Sequence, residues 1–400
     1  MNKFKTLKSK HFKNKKALPL LASLVMFTVL CGTFILQSSA SVPYVSVEPE
    51  NSNKFGVSVQ NDIGASGGKA TSFSIASANY DLLPGDELWN GQVPSFIFGV
   101  NNAPNYGSPN VDNTPSVQNY LKESGMTLMR IWISANNDHG YYDIPWQQKI
   151  DTAEKTGMTC MATLLDYDNI EWMKEVVRTY GDRCNLYLIS NEPDVAGEPF
   201  SSYISAWNAA VPQLRAINPN AKFGGPVAAQ ADWPYVEQFI QATGKTGGVM
   251  PDFIDYHYYP CWNATNQQEC LTWSVQNLKN GIERTRNLEM QHYGRVLPTG
   301  ISEYNYDSSL NFGSPNTWWR DPQFMFNWQK TVLQAMIDNK VSYASLYNSM
   351  NFTGYGAYDI FTNSPPHSPT GQFWGMVDSI KKNGGSSTLI VPNPLPTASN

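Results

Sequence analysis

From Ser95 onward, short runs of β-branched, aromatic and aliphatic residues alternate with longer amphipathic stretches. The strand-like runs are Ser95–Val100, Thr127–Ser134, Thr159–Leu165, Asn185–Ser190, Ala221–Pro226, Phe253–Tyr259, Val296–Ser302 and Ser342–Asn348. The stretches between them carry helix punctuation. Pro115 after Thr114 opens one helix, Gly157 closes Pro145–Thr156, and Asp232 starts another that stops at Gly244. Longer helices fit Ser201–Ile217, Leu271–His292 and Pro322–Asn339, and Gly371–Lys382 supplies the last. A repeated β-then-α order requires parallel strands joined by right-handed crossovers. Eight such units in about 290 residues predict an α/β chain folded as a (β/α)8 TIM barrel. The rival, an open doubly wound sheet, lacks its nucleotide-binding signature: Gly64, Gly67 and Gly68 do not sit between a strand and a helix.

The ends of the chain follow other patterns. Residues 1–40 read as an export signal, with lysines to Lys16, an apolar run from Ala17 to Leu36, and small residues up to a cut after Ala40. Left uncleaved, the run is long enough to anchor the chain in a bilayer. Residues 41–92 form an N-terminal extension. Its Ser-, Asn- and Gly-rich part serves as a tether, or else Phe55–Val59 and Thr71–Ala76 pair as a small hairpin closing the barrel floor. Residues 93–383 make the barrel, and the Gly-, Ser- and Pro-rich residues 384–400 are expected to fray as a flexible tail.

Charge narrows the partners. The first 40 residues hold seven lysines and no acid, so their removal takes the net charge from −5 to −12. An acidic chain disfavours nucleic acid and anionic membrane surfaces. Export also changes how the cysteines are read. Cys160, Cys184, Cys261 and Cys270 remain in an oxidising compartment, and the short Cys261 to Cys270 spacing favours that disulfide, leaving Cys160 with Cys184. A zinc site is the competing use of these residues, but no CxxC occurs and the histidines are scattered, so neither metal nor cofactor is expected. The protein is expected to be secreted, with no obligatory protein partner.

In a barrel of this kind, reactive groups lie where the strands end. The fourth strand ends in Asn191-Glu192-Pro193 and the seventh in Ser302-Glu303-Tyr304-Asn305. Strands four and seven lie nearly opposite in an eight-membered ring. Two carboxyl groups facing each other across a cleft are what glycosidic bond cleavage uses, one to protonate the leaving oxygen and one to attack or to activate water. Each motif alone also fits an ordinary turn, with Asn191 as a cap and Pro193 early in a helix.

These two motifs, with Arg130 closing strand two and Asp255-Tyr256-His257-Tyr258-Tyr259 closing strand six, resemble the clan A glycoside hydrolases. The Phe223-Gly224-Gly225-Pro226 strand and the surroundings of Glu303 look most like family 39, the β-xylosidase and iduronidase group. The resemblance implies a retaining hydrolase acting by double displacement. Glu303, near Arg130 and Tyr259, would be the nucleophile and Glu192 the acid/base, with the charge of Glu303 raising the pKa of Glu192. Asn191 would bond the sugar 2-hydroxyl, and His257 would orient the acid/base region or a sugar hydroxyl. One departure stands out. The clan places a tryptophan at the end of strand eight as a floor for the sugar, and here Tyr347 stands there, so Tyr347, Trp318 or Trp319 is the candidate floor.

Aromatic side chains recur in the loops on the active face, among them Trp132, Tyr141, Tyr142, Tyr167, Tyr258, Trp262 and Tyr306. Flat rings stack on the C–H faces of sugars, and basic residues are sparse in the same loops, so a neutral β-linked oligo- or polysaccharide is the expected partner. A carbohydrate-binding barrel without catalysis and a transglycosylase are the alternatives. The pair of glutamates argues against the first, and the sequence does not separate hydrolysis from transglycosylation.

Overall fold

The computed structural model describes residues 80–102, 110–135, 145–308, 318–350, 359–362 and 364–396, together with the backbone of 57–61 and 69–73. The signal segment, Tyr141, Tyr142 and the glycines at 64, 67 and 68 lie outside these residues. The chain divides into two compact units, residues 1–78 and 79–400. In the first, Val57–Asn61 pairs antiparallel with Lys69–Phe73, Val57 opposite Phe73.

The second unit is a closed barrel of eight parallel strands in sequential order. They are β1 Gly99–Asn102, β2 Leu128–Ile133, β3 Thr159–Leu164, β4 Leu186–Ile189, β5 Lys222–Ala228, β6 Phe253–Tyr258, β7 Thr299–Tyr304 and β8 Tyr343–Leu346. The helices are α1 Pro115–Ser124, α2 Trp146–Lys155, α3 Ile170–Tyr180, α4 Phe200–Ile217, α5 Pro234–Thr243, α6 Gln267–Tyr293, α7 Pro322–Asp338 and α8 Gly371–Lys382. Proline opens α1, α5 and α7, and the Asn266 side chain caps α6 by accepting from the Glu269 N–H at 3.0 Å. Helix α3 buries one stripe against the sheet, with Trp172, Met173, Val176 and Val177, whereas α8 is buried nearly all round from Gly371 to Ile380.

Inside the barrel, small residues make room for large ones. A Cβ on Gly224 would come within 1.8 Å of the Phe253 ring, and one on Gly300 within 1.8 Å of Tyr343. The two rings meet edge to face, their centroids 5.4 Å apart. Leu83 and Phe96 complete this layer with Leu128, Met161 and Leu186. A plug of the barrel therefore comes from residues 80–98, directly ahead of β1.

One expectation is corrected. The first barrel strand is Gly99–Asn102, because Ser95–Ile97 winds into a short 3-10 turn that turns Phe96 inward. The C-terminal segment is docked through residue 395. Leu389, Val391 and Leu395 pack against the core, and the Ser387 hydroxyl and the Thr388 N–H both donate to the Glu123 carbonyl, at 2.8 and 3.2 Å.

The disulfides are Cys160–Cys184 and Cys261–Cys270, the expected pairs, with Cα separations of 5.0 and 4.9 Å. Among the described residues no helix is long and apolar enough to cross a membrane.

Candidate active site

The ends of β1, β2, β3, β4, β6 and β7 converge on a single polar network. Arg130, fully buried in the middle of β2, is its centre. Its Nε donates to Thr163 Oγ1 at 2.9 Å, Nη1 to Asn101 Oδ1 at 3.0 Å and to Glu303 Oε2 at 2.9 Å, and Nη2 to Asn191 Oδ1 at 2.5 Å. A buried guanidinium is tolerable only when its donors are used, and here every nitrogen is engaged. The Trp132 ring lies 5.0 Å from the guanidinium carbon and 6.3 Å from the ring of Tyr347 at the end of β8.

Glu303 is buried and held at both oxygens, since the Tyr259 hydroxyl donates to Oε1 at 2.5 Å. Burial, with the Glu303 charge next in weight, pushes the Tyr259 phenol well above its ordinary range, so it remains a donor. A cation on one oxygen and a hydroxyl on the other suit a carboxylate that only accepts. His257 and Glu303 are register partners across β6 and β7.

Glu192 lies just past β4 in different surroundings. His257 Nδ1 is 2.7 Å from Glu192 Oε1 and 3.7 Å from Glu303 Oε2. The imidazole is fully buried, which depresses its pKa to about 3 and keeps it neutral. The Glu192 pKa is raised, chiefly by burial and against the pull of Arg130. This corrects the expectation that the charge of Glu303 does the raising: Arg130 and Tyr259 already compensate that charge. One oxygen of each glutamate and a ring nitrogen of His257 all lie within 4.8 Å of one another. The same trio has the donor types of a metal site. Arg130, 2.9 Å from Glu303, already places a permanent positive charge on that carboxylate, so the donor set does not suit an added cation.

Of the predicted residues, Arg130, Asn191, Glu192, His257, Tyr259 and Glu303 come together, and Tyr347 flanks them through Trp132. Trp318 and Trp319 go elsewhere. Trp319 is only 5% exposed, stacks under Arg320 and faces Tyr306, while Trp318 packs edge-on against Phe324. Tyr258 and Tyr306 are likewise packed inside, not displayed on a rim. Trp262 is exposed, on the loop after β6.

Asn101 and Thr163 were missed. Asn101, besides accepting from Arg130, donates to the carbonyls of Ser302 at 3.0 Å and Ser345 at 3.1 Å, tying β1 to β7 and β8. Its signal is the polar Asn101-Asn102 pair after an apolar run, which lies beyond the expected strand Ser95–Val100.

No protein family and no curated protein matches the chain by sequence. Solved structures do match its fold. A glucosidase from Croceicoccus marinus superposes with a TM-score of 0.56 at 13% identity, over 76% of this chain and 70% of that one. A family 51 α-L-arabinofuranosidase, AbfB from Bifidobacterium longum, gives 0.56 at 12% identity, over 74% and 76%. A monomeric β-xylosidase from Caulobacter crescentus CB15 gives 0.52 at 13% identity, over 70% and 67%. The chain thus shares the (β/α)8 barrel fold of these solved glycosidases.

Proposed function

We propose that the protein is a secreted retaining glycoside hydrolase that cleaves β-linked neutral oligo- or polysaccharides by double displacement. The observation that carries this reading is the pair of glutamates at the ends of β4 and β7, close enough that their oxygens and His257 share a 4.8 Å cluster, each in an environment suited to one role. Retaining enzymes hold their carboxyl groups about 5–5.5 Å apart, and inverting ones leave roughly 6.5–9.5 Å for a water. Glu303 attacks the anomeric carbon. Glu192 starts protonated and gives its proton to the leaving oxygen.

His257 sets which oxygen carries that proton. A neutral imidazole with its hydrogen on Nδ1 donates to Glu192 Oε1, so the acidic proton resides on Oε2, free to face the substrate. Once Glu303 is bonded to the sugar, Glu192 acts as base toward water. Arg130 occupies Asn191 Oδ1, which turns the amide NH2 of Asn191 toward the sugar as a donor. The structural neighbours act on different linkages, so the β-linkage rests on the motif resemblance. Two disulfides and the leader sequence support export.

The stereochemistry of azide rescue tests the assignment. Glu303→Ala with azide is expected to give a glycosyl azide of inverted configuration. Glu192→Ala, given a dinitrophenyl glycoside that needs no proton, is expected to give the retained product. The anomeric proton resonance distinguishes them. Interchanged products reverse the roles, and full activity in either variant refutes the mechanism.

A further inference from the structure

Strand β7 carries one residue more than either of its neighbours. Its pairing with β6 runs from Asp255 opposite Gly300 to His257 opposite Glu303, two steps on β6 against three on β7. Its pairing with β8 runs from Ala344 opposite Ile301 to Leu346 opposite Tyr304, again two steps against three. The extra residue makes a β-bulge, a feature rare between parallel strands and over-represented next to active sites, where it re-aims a side chain.

The alternation of side chains along β7 identifies what is re-aimed. Gly300 faces the barrel interior against the Tyr343 ring, Ile301 joins the core cluster shared with the helices, and Ser302 turns back inside to Asp255. A regular strand would then send residue 303 outward and residue 304 inward. The opposite is found. Glu303 points inward to Arg130, and Tyr304 points outward, its hydroxyl accepting from Gln329 Nε2 on α7 at 2.7 Å. Ser302 and Glu303, consecutive in sequence, both face the interior.

A bulge takes a peptide group out of the ladder, and a buried N–H or C=O needs another partner. Asp255 supplies one. Fully buried on β6, it accepts the Ser302 N–H on Oδ2 at 3.0 Å and the Ser302 hydroxyl on Oδ1 at 2.6 Å. From β8, the Tyr343 hydroxyl donates to the same Oδ2 at 2.6 Å. Tyr343 reaches across β7 because residue 300 is glycine and leaves room for its ring. The Ser302 carbonyl is held too, by Asn101 Nδ2 at 3.0 Å, and Asn101 Oδ1 accepts from the same Arg130 Nη1 that bonds Glu303. The peptide one residue before Glu303 is thus fixed at both ends. Asp255 has no exposed surface, so it acts through Ser302 and not on a substrate.

We propose that Asp255 is a positioning residue for the nucleophile: by accepting the Ser302 N–H and hydroxyl it maintains the β7 bulge that turns Glu303 inward, with Tyr343 holding its carboxylate in place. This rests on the reading of Glu303 as nucleophile given above.

The test compares wild type with Asp255→Ala, Asp255→Asn and Tyr343→Phe, and with Val176→Ala on α3 as a core truncation outside the network. Each is assayed well below its melting temperature on an unactivated aryl glycoside and on a dinitrophenyl glycoside. Asp255→Ala is expected to lower kcat about 100-fold on both substrates with KM within about twofold, the scale of a reacting group misplaced by about 1 Å. The amide of Asp255→Asn keeps an oxygen for the Ser302 N–H, so that variant should recover to within about tenfold of wild type. Tyr343→Phe should lose about tenfold in kcat, the order of one hydrogen bond. Val176→Ala should keep the wild-type kcat. A kcat for Asp255→Ala equal to that of Val176→Ala, or a loss confined to KM, overturns the proposal. If Asp255→Ala does not fold, Tyr343→Phe decides: a lower kcat at unchanged KM sustains the proposal and a wild-type kcat overturns it. If the wild type cleaves neither glycoside nor any neutral oligosaccharide, the glycosidase reading fails and the crystal structure of the folded variant decides. Glu303 released from Arg130 and Tyr259 then sustains Asp255 as the keeper of the bulge, and Glu303 unmoved overturns it.

Discussion

Glu303 is gripped at both carboxylate oxygens, by the Arg130 guanidinium and the Tyr259 hydroxyl, whereas Glu192 meets a neutral imidazole and keeps 27% of its side chain exposed. The backbones differ as well. Glu303 belongs to strand β7, while Glu192 and Ser190 hold left-handed φ values of 46° and 68° just past the end of β4. Non-glycine residues in that region cost of order 1–3 kcal/mol each and persist only where surrounding contacts impose them. One such contact is the Glu192 N–H, which donates to the carbonyl of Val227 at 2.9 Å. The lesson is that residue type does not assign a role here. One glutamate is surrounded by fixed charge and donors in a strand; the other is held, at a cost in strain, beside a neutral imidazole.

The sharpest way to break that contrast is to neutralise each carboxylate and vary the leaving group. Glu303→Gln is expected to lower kcat/KM on the order of 10⁴-fold or more on every substrate, since the nucleophile is needed whatever departs. Glu192→Gln should lose roughly 10²- to 10⁴-fold on unactivated glycosides and far less on a dinitrophenyl glycoside. Parallel losses on both substrates would erase the difference between the two.

A smaller effect probes what holds each group. Arg130→Met strands Glu303, Asn191 and Asn101 without their shared donor, and leaving a buried charge unpaired costs about 3–5 kcal/mol. His257→Asn removes a neutral partner from a half-open carboxyl and should cost only about 1–3 kcal/mol. Urea midpoints measure both, and similar losses would mean that the two networks are equally coupled to the fold.

The pH profile sharpens the same point. Burial raises the Glu192 pKa, so the protonated acid survives above the ordinary carboxylate range, and kcat/KM falls as pH rises through that value. The basic limb should vanish in Glu192→Gln on a dinitrophenyl glycoside. A basic limb that survives there belongs to another group.

Much of this was legible in the chain. Strand and helix order follow from hydrophobic period alone, and the strand-end rule places Arg130, Glu192, His257 and Glu303 on one rim. What escaped depends on packing between segments distant in sequence. Trp319 looks the same in a string whether it floors a sugar or packs against Tyr306, and that choice was made by the Arg320 stack and the neighbouring α7. Phe96 reads as a strand residue by type, yet it plugs the barrel floor with Leu83. The cause of the raised Glu192 pKa was also hidden. Sequence shows that two acids face each other, but not that Arg130 and Tyr259 already compensate one of them.

A third carboxylate asks whether burial by itself is enough to shift an acid outside the cleft. Glu289 lies on α6, fully buried, with Oε1 accepting from the Leu297 N–H at 3.4 Å and Oε2 without a partner. Burial raises its pKa to about 8, against the smaller lowering effects of that hydrogen bond and of Arg286. The sign follows from proton counting. Below the ordinary Glu pKa of about 4.5 both folded and unfolded chains hold the proton, but above it only the folded chain does. Stability therefore falls as pH climbs from about 4.5 to about 8, by a few kcal/mol at most at about 1.4 kcal/mol per pKa unit. Asp255, raised to about 7 inside the barrel, adds to the same decline over a lower window. Glu289→Gln cannot ionise, so its urea midpoint should decline less than that of the wild type between pH 5 and 8.5, while kcat/KM measured at pH 5 stays the same. Identical declines in the two proteins would show that Glu289 is ionised in the folded chain, and that burial without a neutral partner like His257 does not keep an acid protonated in this fold.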